Sequence, residues 1–308
     1  DLLEKANVLF EKRLYAQGYK LLLRAEQMAR THEEFLLLAE ITGEKWKMLY
    51  AARDWEHLPE SLDKDFRGAN AHLQKHENVL AYKQLHYRSQ IIFISEGETR
   101  IRGAVNKMEQ LMAAPLMQEE DKALSYEAKR IFLSLHSQYA YVSGNHLKAY
   151  HYAKKLTALM ERHQEHRKQS PGAYCDALNL LLTLQIRTRK HKEFLGSIGA
   201  LKALLQETPR NKRTETLRSI ISVQLLLLEQ TYYIDTGAFS EGTRLTEHAQ
   251  NWLQKNTGSY NSFRALLYYN LAHVYFGAGD LSSARKWLNL LMNDPHLSGL
   301  YDDVQCFA

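Results

Sequence analysis

His72 and His76 stand four positions apart in a stretch with a helical pattern, which puts both imidazoles on one helix face, the way a helix presents two nitrogen ligands to zinc. A metal site needs further donors. No acidic or cysteine partner stands at a ligand spacing and the cation Lys75 lies beside the pair, so it reads as a solvated face. His163 and His166, in ERHQEHRKQS, fall near a helix end, where cationic side chains complement the dipole. The run Glu119, Glu120, Asp121 reads as a helix start, where negative charge is favourable. HEEF at 32–35 shares letters with a metalloprotease helix, yet no His follows Glu33 at the required spacing. A Gly-rich phosphate loop, H-E-x-x-H, G-x-S-x-G and C-x-x-C are all missing. These residues point to no catalytic centre, cofactor, metal or small-molecule substrate, and the chain reads as a non-enzyme.

The elements that carry these side chains must be mainly helices. Only 15 Gly and 5 Pro occur in 308 residues, and Leu, Ala, Lys, Glu, Gln and Arg fill much of the rest. A hydrophobic fraction of 45% with 24% charged residues is that of an ordinary folded protein. The length exceeds a single core, so the chain is two domains or one elongated array in which each unit covers its neighbour's apolar face. No stretch of about 18 uncharged apolar residues occurs, so no membrane segment is expected. Cys175 and Cys306 are far apart and make no disulfide framework, which fits a reduced, cytoplasmic setting. The chain begins at Asp1 without an initiator Met; a fragment of a longer chain, with a targeting segment cut away, fits this start.

One segment shows how the helices pair. In ALLYYNLAHVYFGAGDLSSARKWLNLLMNDP (265–295), Tyr268, Leu271, Ala272 and Tyr275 fall on one side of a first helix. Ala284, Leu288 and Leu291 do the same on a second helix. Ala272 and Ala284 let the two approach closely, and Gly279 suits a left-handed corner between them. The order Tyr268, Leu271, Ala272, Tyr275, Gly279, Ala284, Pro295 resembles the tetratricopeptide repeat.

A lone hairpin cannot bury its own apolar face, so others should recur. Upstream, YYIDTGAFSEGTRLTEHAQNWL repeats the phase with Tyr233, Gly237, Gly242, Thr246 and Ala249, and QYAYVSGNHLKAYHYAKKL with Gly144, Ala149, Ala153 and Leu156. The best-matching repeats cover 130–157, 222–255 and 259–295. With Ala284, Gly242 and Ala149 as anchors, weaker ones fall at Phe194, Ala104, Leu58 and Gly18, at intervals of 40 to 48 residues. That exceeds the usual repeat of about 34, so the helices should be longer by a turn or more. Phe194 stands where a small residue is expected and Gln185 where Tyr is, which predicts different packing in that hairpin. Pro115, Pro171, Pro209 and Pro295 each follow a proposed second helix, as a stop or as the first residue of the next one. The resemblance implies an all-α, right-handed superhelix, a solenoid of about seven helical hairpins over 1–308 as a single domain.

Two stretches complicate this layout. THEEFLLLAEI opens with Thr31 and Glu34 at capping-box spacing, which predicts a helix start at Thr31. Within 59–96 only Gly68 interrupts a helical pattern, and Phe66, Leu73, Leu80, Tyr87 and Ile94 recur every seven residues. Either one helix of roughly 54 Å runs through, leaving six recognisable hairpins, or the chain breaks near Gly68.

The functional expectation follows from the surfaces such an array leaves open. RTRKHK (187–192) falls in a turn inside a hairpin, whereas Arg162, Arg167, Lys168 and PRNKR (209–213) fall between hairpins and could form a basic rim for an acidic partner. Nucleic acid is disfavoured, because the net charge is only +5 and no aromatic is interleaved with the basic residues. The resemblance implies that first helices line a concave side, with Tyr269, Asn270, His273 and Phe276 facing a groove, joined by Leu227, Thr231 and Ile234, then by Asn179, Thr183 and Arg187. That set suits a protein or peptide held by a few anchors; the apolar members equally suit packing against a neighbouring helix. The Lys and Asn set with which chaperone-binding relatives hold a terminal carboxylate is not reproduced. The expected role is a protein-interaction scaffold or adaptor, with a regulatory or sensor segment of a larger signalling protein as the alternative.

Overall fold

The computed structural model describes residues 2–53, 58–96, 101–256, 260–294 and 297, without the side chains of 58–60, 93–96 and 101–102. Among the described residues the secondary structure is helical, with no strand. In chain order the helices are α1 (Leu2–Glu11), α2 (Tyr15–Thr31), α3 (Phe35–Ala52), α4 (Leu58–Glu96), α5 (Ile101–Met112), α6 (Tyr126–Val142), α7 (His146–Arg162), α8 (Gln164–Gln169), α9 (Pro171–Arg187), α10 (His191–Glu207), α11 (Glu215–Thr236), α12 (Phe239–Thr243), α13 (Thr246–Lys255), α14 (Asn261–Gly277) and α15 (Leu281–Asn293). Among the described residues, no helix is long and apolar enough to cross a membrane.

One corner recurs between successive helices. At Gly144, Gly237 and Gly279 the backbone turns left-handed, with φ of 77°, 73° and 82°. The residue after each donates its N–H to a carbonyl five positions back: Asn145 to Ala140, Ala238 to Tyr233, Asp280 to Tyr275. This is the Schellman closure, which satisfies carbonyls that a helix end leaves bare. Arg13, Glu33 and Arg189 make the same corner without glycine, through Leu14 to Leu9, Glu34 to Ala29 and Lys190 to Gln185. Arg53 is also left-handed, at φ 55°.

Arg13, Gly144, Arg189, Gly237 and Gly279 each precede a buried position five residues on. Ala149 and Ala284 are buried, and a Cβ on Gly18 or Gly242 would come within 3 Å of Met48 or Val274. Phe194 occupies the equivalent place as a large residue, is itself buried, and stacks on Tyr232 at 4.8 Å. Gln185 is buried too, and its amide donates to Ser197 Oγ at 3.0 Å.

The chain forms two compact units. The first comprises Asp1–Gln90, Leu111–Leu135 and His163–Gln169. In it α1 packs on α2 and α2 on α3, over Ala6, Leu22, Ala25, Ile41 and Met48. The α4 helix is continuous through Gly68, beside which a Cβ would meet open space. Its inner face buries Ala69, Val79, Tyr82, Leu85 and Ser89. Tyr82 donates its hydroxyl to Leu116 O at 2.6 Å, and Asn78 bridges Lys122 O and Leu124 N at 2.9 and 3.0 Å.

The predicted helix start at Thr31 is not what forms. Thr31 is the last residue of α2, and its hydroxyl donates back to Gln27 O at 3.0 Å. The left-handed Glu33 turns the chain, and α3 begins at Phe35. Glu33 instead accepts from the N–H of Tyr126, the first residue of α6, at 2.8 Å. The acidic run at 119–121 leads into a single 3₁₀ turn, Glu120–Lys122, and not an α-helix.

The second unit comprises Ile91–Gln110, His136–Arg162 and Ser170–Ala308. Here α7 packs on α9, and α9 packs on both α10 and α11. The α11 helix packs in turn on α14, which carries α15. The core between α11, α13, α14 and α15 holds Val223, Ala249, Trp252, Leu267, Leu271, Trp287 and Leu291. Pro171 is the first residue of α9, and Pro209 follows the end of α10. Pro295, Cys306 and the segment GLYDDVQCFA lie outside the described residues.

Candidate functional site

The candidate groove residues stand on α9, α11 and α14, each of which ends at a left-handed corner. On α9, Asn179 and Thr183 are half-buried. Arg187 is exposed at the last turn, its guanidinium 5.5 Å from the centre of the Tyr141 ring, a cation–π distance. On α11, Leu227 and Ile234 are half-buried; Thr231 is exposed and donates its hydroxyl to Leu227 O at 2.7 Å. On α14, Tyr269 is half-buried and meets His273 edge-on at 4.3 Å, while Phe276 is 66% exposed. Partial burial lowers the pKa of His273 below its ordinary value, so the ring is neutral near pH 7.

Asn270 sits differently from its neighbours on α14. It is 8% exposed, and its amide lies 3.3 Å from Thr231 Oγ1 and 3.5 Å from Leu227 O, across the α11–α14 interface. The structure thus brings Asn270 to Thr231 and Tyr269 to His273, while Asn179 and Arg187 belong to α9. Asn270 is a polar bridge between packed helices, and the open side chains around it are Thr231, His273 and Phe276.

A cavity of about 830 Å³ opens beside the end of α10, the first turns of α11 and the end of α13. Leu205, Leu225, Leu226 and Trp252 give it an apolar wall, and Arg210, Arg218, His248 and Lys255 give it basic ones, with Glu215 as the carboxylate among the lining residues. Its walls are held in place. Arg218 donates to the carbonyls of Leu205 and Thr208, at the C-terminus of α10, where a cation also meets the negative end of the helix dipole. The Trp252 indole donates to Ser219 O at 3.0 Å, and Ser219 Oγ donates to Asn256 Oδ1 at 2.8 Å. The basic run PRNKR supplies Arg210 and Asn211; sequence reading found that run but not Arg218, His248, Trp252 or Lys255. These come from two helices whose proximity no local spacing encodes. A second cavity, of about 660 Å³, lies between the corners at Gly144 and Arg189 and includes Arg187 and His146.

His72, His163, His166 and Cys175 are packing residues. His72 stacks on Phe35 at 6.1 Å; burial, and then the charges of Arg30 and Lys75, lower its pKa. His166 stacks on Tyr126 at 4.3 Å, and His163 meets the same ring at 5.1 Å. The Cys175 thiol is buried and donates to Gln224 Oε1 at 2.9 Å. Burial, with the Asp176 charge second, pushes its pKa up to about 12, so it is no nucleophile at neutral pH. Among the described residues no group of three or more His, Cys, Asp or Glu is placed to hold a metal ion. Compared with family models, with curated proteins and with solved structures, the chain matches none.

Proposed function

We propose that the chain is a non-enzymatic interaction module, a tetratricopeptide-like superhelix of hairpins that holds a protein or peptide against α9, α11 and α14. The observation that carries this reading is the set of exposed side chains on these three helices. Arg187, Thr231, His273 and Phe276 offer a cation, a hydroxyl, a neutral imidazole and an apolar ring where they are open to solvent. Interfaces concentrate their binding energy in a few such anchors of aromatic and arginine type. Because α4 is continuous, the array holds six recognisable hairpins in this reading, not seven.

Selection of a displayed peptide library on the wild-type chain and on a variant carrying Asn179→Ala, Arg187→Ala and His273→Ala tests it. Peptides enriched on the wild type should lose affinity for the variant; equal retention by both would rule out this face.

A second reading rests on the cavity beside Arg218. Its basic walls and apolar floor suit an acidic peptide carrying a hydrophobic side chain. Binding there should weaken steeply with salt, as ion-pair contacts are screened, and should be lost in Arg210→Glu with Lys255→Glu while the α9–α11–α14 variant retains it.

A further inference from the structure

The cavity between the corners at Gly144 and Arg189, both within the second unit, presents mainly nitrogen donors to a ligand. Its hydroxyls are already engaged: Ser143 Oγ donates to Tyr139 O at 2.7 Å, and Thr188 Oγ1 to Leu184 O at 2.6 Å. The Asn145 side-chain oxygen accepts from the N–H of Lys148 at 3.1 Å, which leaves the amide nitrogen as its donor to the cavity. Arg187 and Arg189 can only donate. His146 joins them, with its Nδ1 buried and without a partner.

No carboxylate lines this cavity. Among the described residues none pairs with Arg187 or Arg189 either. Glu193, the first acid after the second corner, accepts from Tyr150 and pairs with Lys154 at 3.2 Å and Lys190 at 3.5 Å. Asp235 pairs with His191 at 3.3 Å. The two guanidinium charges thus stay unneutralised, with Lys148 and Lys192 on the same two stretches, SGNHLK (143–148) and RTRKHK (187–192). One ring also fixes the geometry. Tyr141 holds the Arg187 guanidinium 5.5 Å from its centre and the His146 ring at 5.6 Å, so both side chains are placed before a ligand arrives.

A pocket of donors calls for a ligand that only accepts. Two guanidinium forks match the several oxygens and double charge of a phosphoryl group. At about 660 Å³ the cavity also leaves space for whatever is esterified to it. We propose that it is an oxyanion site, in which Arg187 and Arg189, with the Asn145 amide and the His146 imidazole, hold the dianionic group of a phosphate monoester. It shares Arg187 with the α9–α11–α14 face and does not depend on what that face binds.

Inorganic phosphate, replacing chloride at constant ionic strength, should shift the amide resonances of Asn145, His146 and Arg189 and saturate in the low millimolar range. Arg189→Gly should weaken this about tenfold or more, as loss of a charge-assisted bond does, yet melt no lower than wild type, because glycine takes a left-handed turn with less strain. His146→Phe keeps a ring against Tyr141, removes the nitrogens and should weaken binding as well. A phosphoserine peptide that binds more tightly than phosphate identifies a modified protein as the source; one that binds no better identifies a small phosphate ester. Shifts that chloride reproduces, or an Arg189→Gly chain that binds phosphate like wild type, overturn the site. Peptides selected on the α9–α11–α14 face should still bind Arg189→Gly, so failure of that reading and failure of this one are told apart.

Discussion

Gly242 lies so close to Val274 that a Cβ added to the glycine would stand 2.9 Å from each of the valine's two methyl carbons. Valine is branched at Cβ and stiff at χ1, so it cannot swing away, and the contact sets how near α12 and α14 come.

Gly242→Ala should therefore destabilise by about 1–3 kcal/mol, as overpacking does. Gly18→Ala should cost less, although its Cβ would meet Met48 Cε at 2.7 Å and Sδ at 2.8 Å, because those atoms end a flexible side chain. Urea titration of the two variants checks the order. Equal losses would mean that the identity of the neighbour does not matter.

The Asn270–Thr231 bridge makes a second prediction. Thr231→Val removes the hydroxyl 3.3 Å from the buried amide and should cost roughly 1–3 kcal/mol, because a buried polar group loses its partner. Thr231→Ser keeps the bond and should stay near wild type. A pair of denaturation curves in which Val and Ser behave alike would show that the bridge carries no stability.

Acid should weaken the fold in two stages. The pKa values of His72, His86, His166 and His273 are all lowered, with burial the first cause of each; for His86 the Arg130 charge adds to it. A depressed histidine binds its proton more readily in the unfolded chain, so stability is complete above the unfolded value of about 6.5 and falls as pH drops below it. Glu127 is held low by its bond to Arg130 and that residue's charge, against the opposing effect of burial, and Glu26 likewise by Lys45 and Arg30. Their contribution is present above the ordinary carboxylate value of about 4.3 and is lost only below it. Melting temperature followed from pH 7.5 to 3.5 should show both falls, and His86→Gln should flatten the first.

Substitutions on the proposed binding face should separate binding from folding. Arg187→Ala, His273→Ala and Phe276→Ala change exposed positions and should each move stability by no more than roughly 0.5 kcal/mol. Asn270→Ala, by contrast, should melt at a clearly lower temperature, because it empties a buried position. Thermal melts of the four variants decide whether a loss of partner reports contact or collapse.

The spacing of the helix corners was legible because it is written in backbone geometry. Five positions before six of the seven anchors, Gly18, Leu58, Ala149, Phe194, Gly242 and Ala284, stands a left-handed residue; the position five before Ala104 lies outside the described residues. Where that residue is Gly144, Gly237 or Gly279 the sequence announces it, and these glycines fall in the three stretches whose spacing is plainest, 130–157, 222–255 and 259–295. Arg13, Arg53 and Arg189 take the same conformation silently, since an arginine carries no local preference for it. The boundary at Thr31 was misread for the same reason, with the corner hidden in Glu33. Gly68 did not break α4 because a solvent-facing glycine costs a helix only about 1 kcal/mol. The basic cavity stayed hidden because Arg218, His248 and Lys255 meet only after α11 and α13 have packed.

The silent corners mark a route to a hardier protein. An L-residue held left-handed costs roughly 1–2 kcal/mol relative to glycine, and Arg13, Arg53 and Arg189 are all solvent-facing, so their side chains can be deleted without emptying the interior. Three arginine-to-glycine exchanges would thus toughen the chain against heat while leaving every buried atom as it is, and would render its hidden periodicity readable by eye.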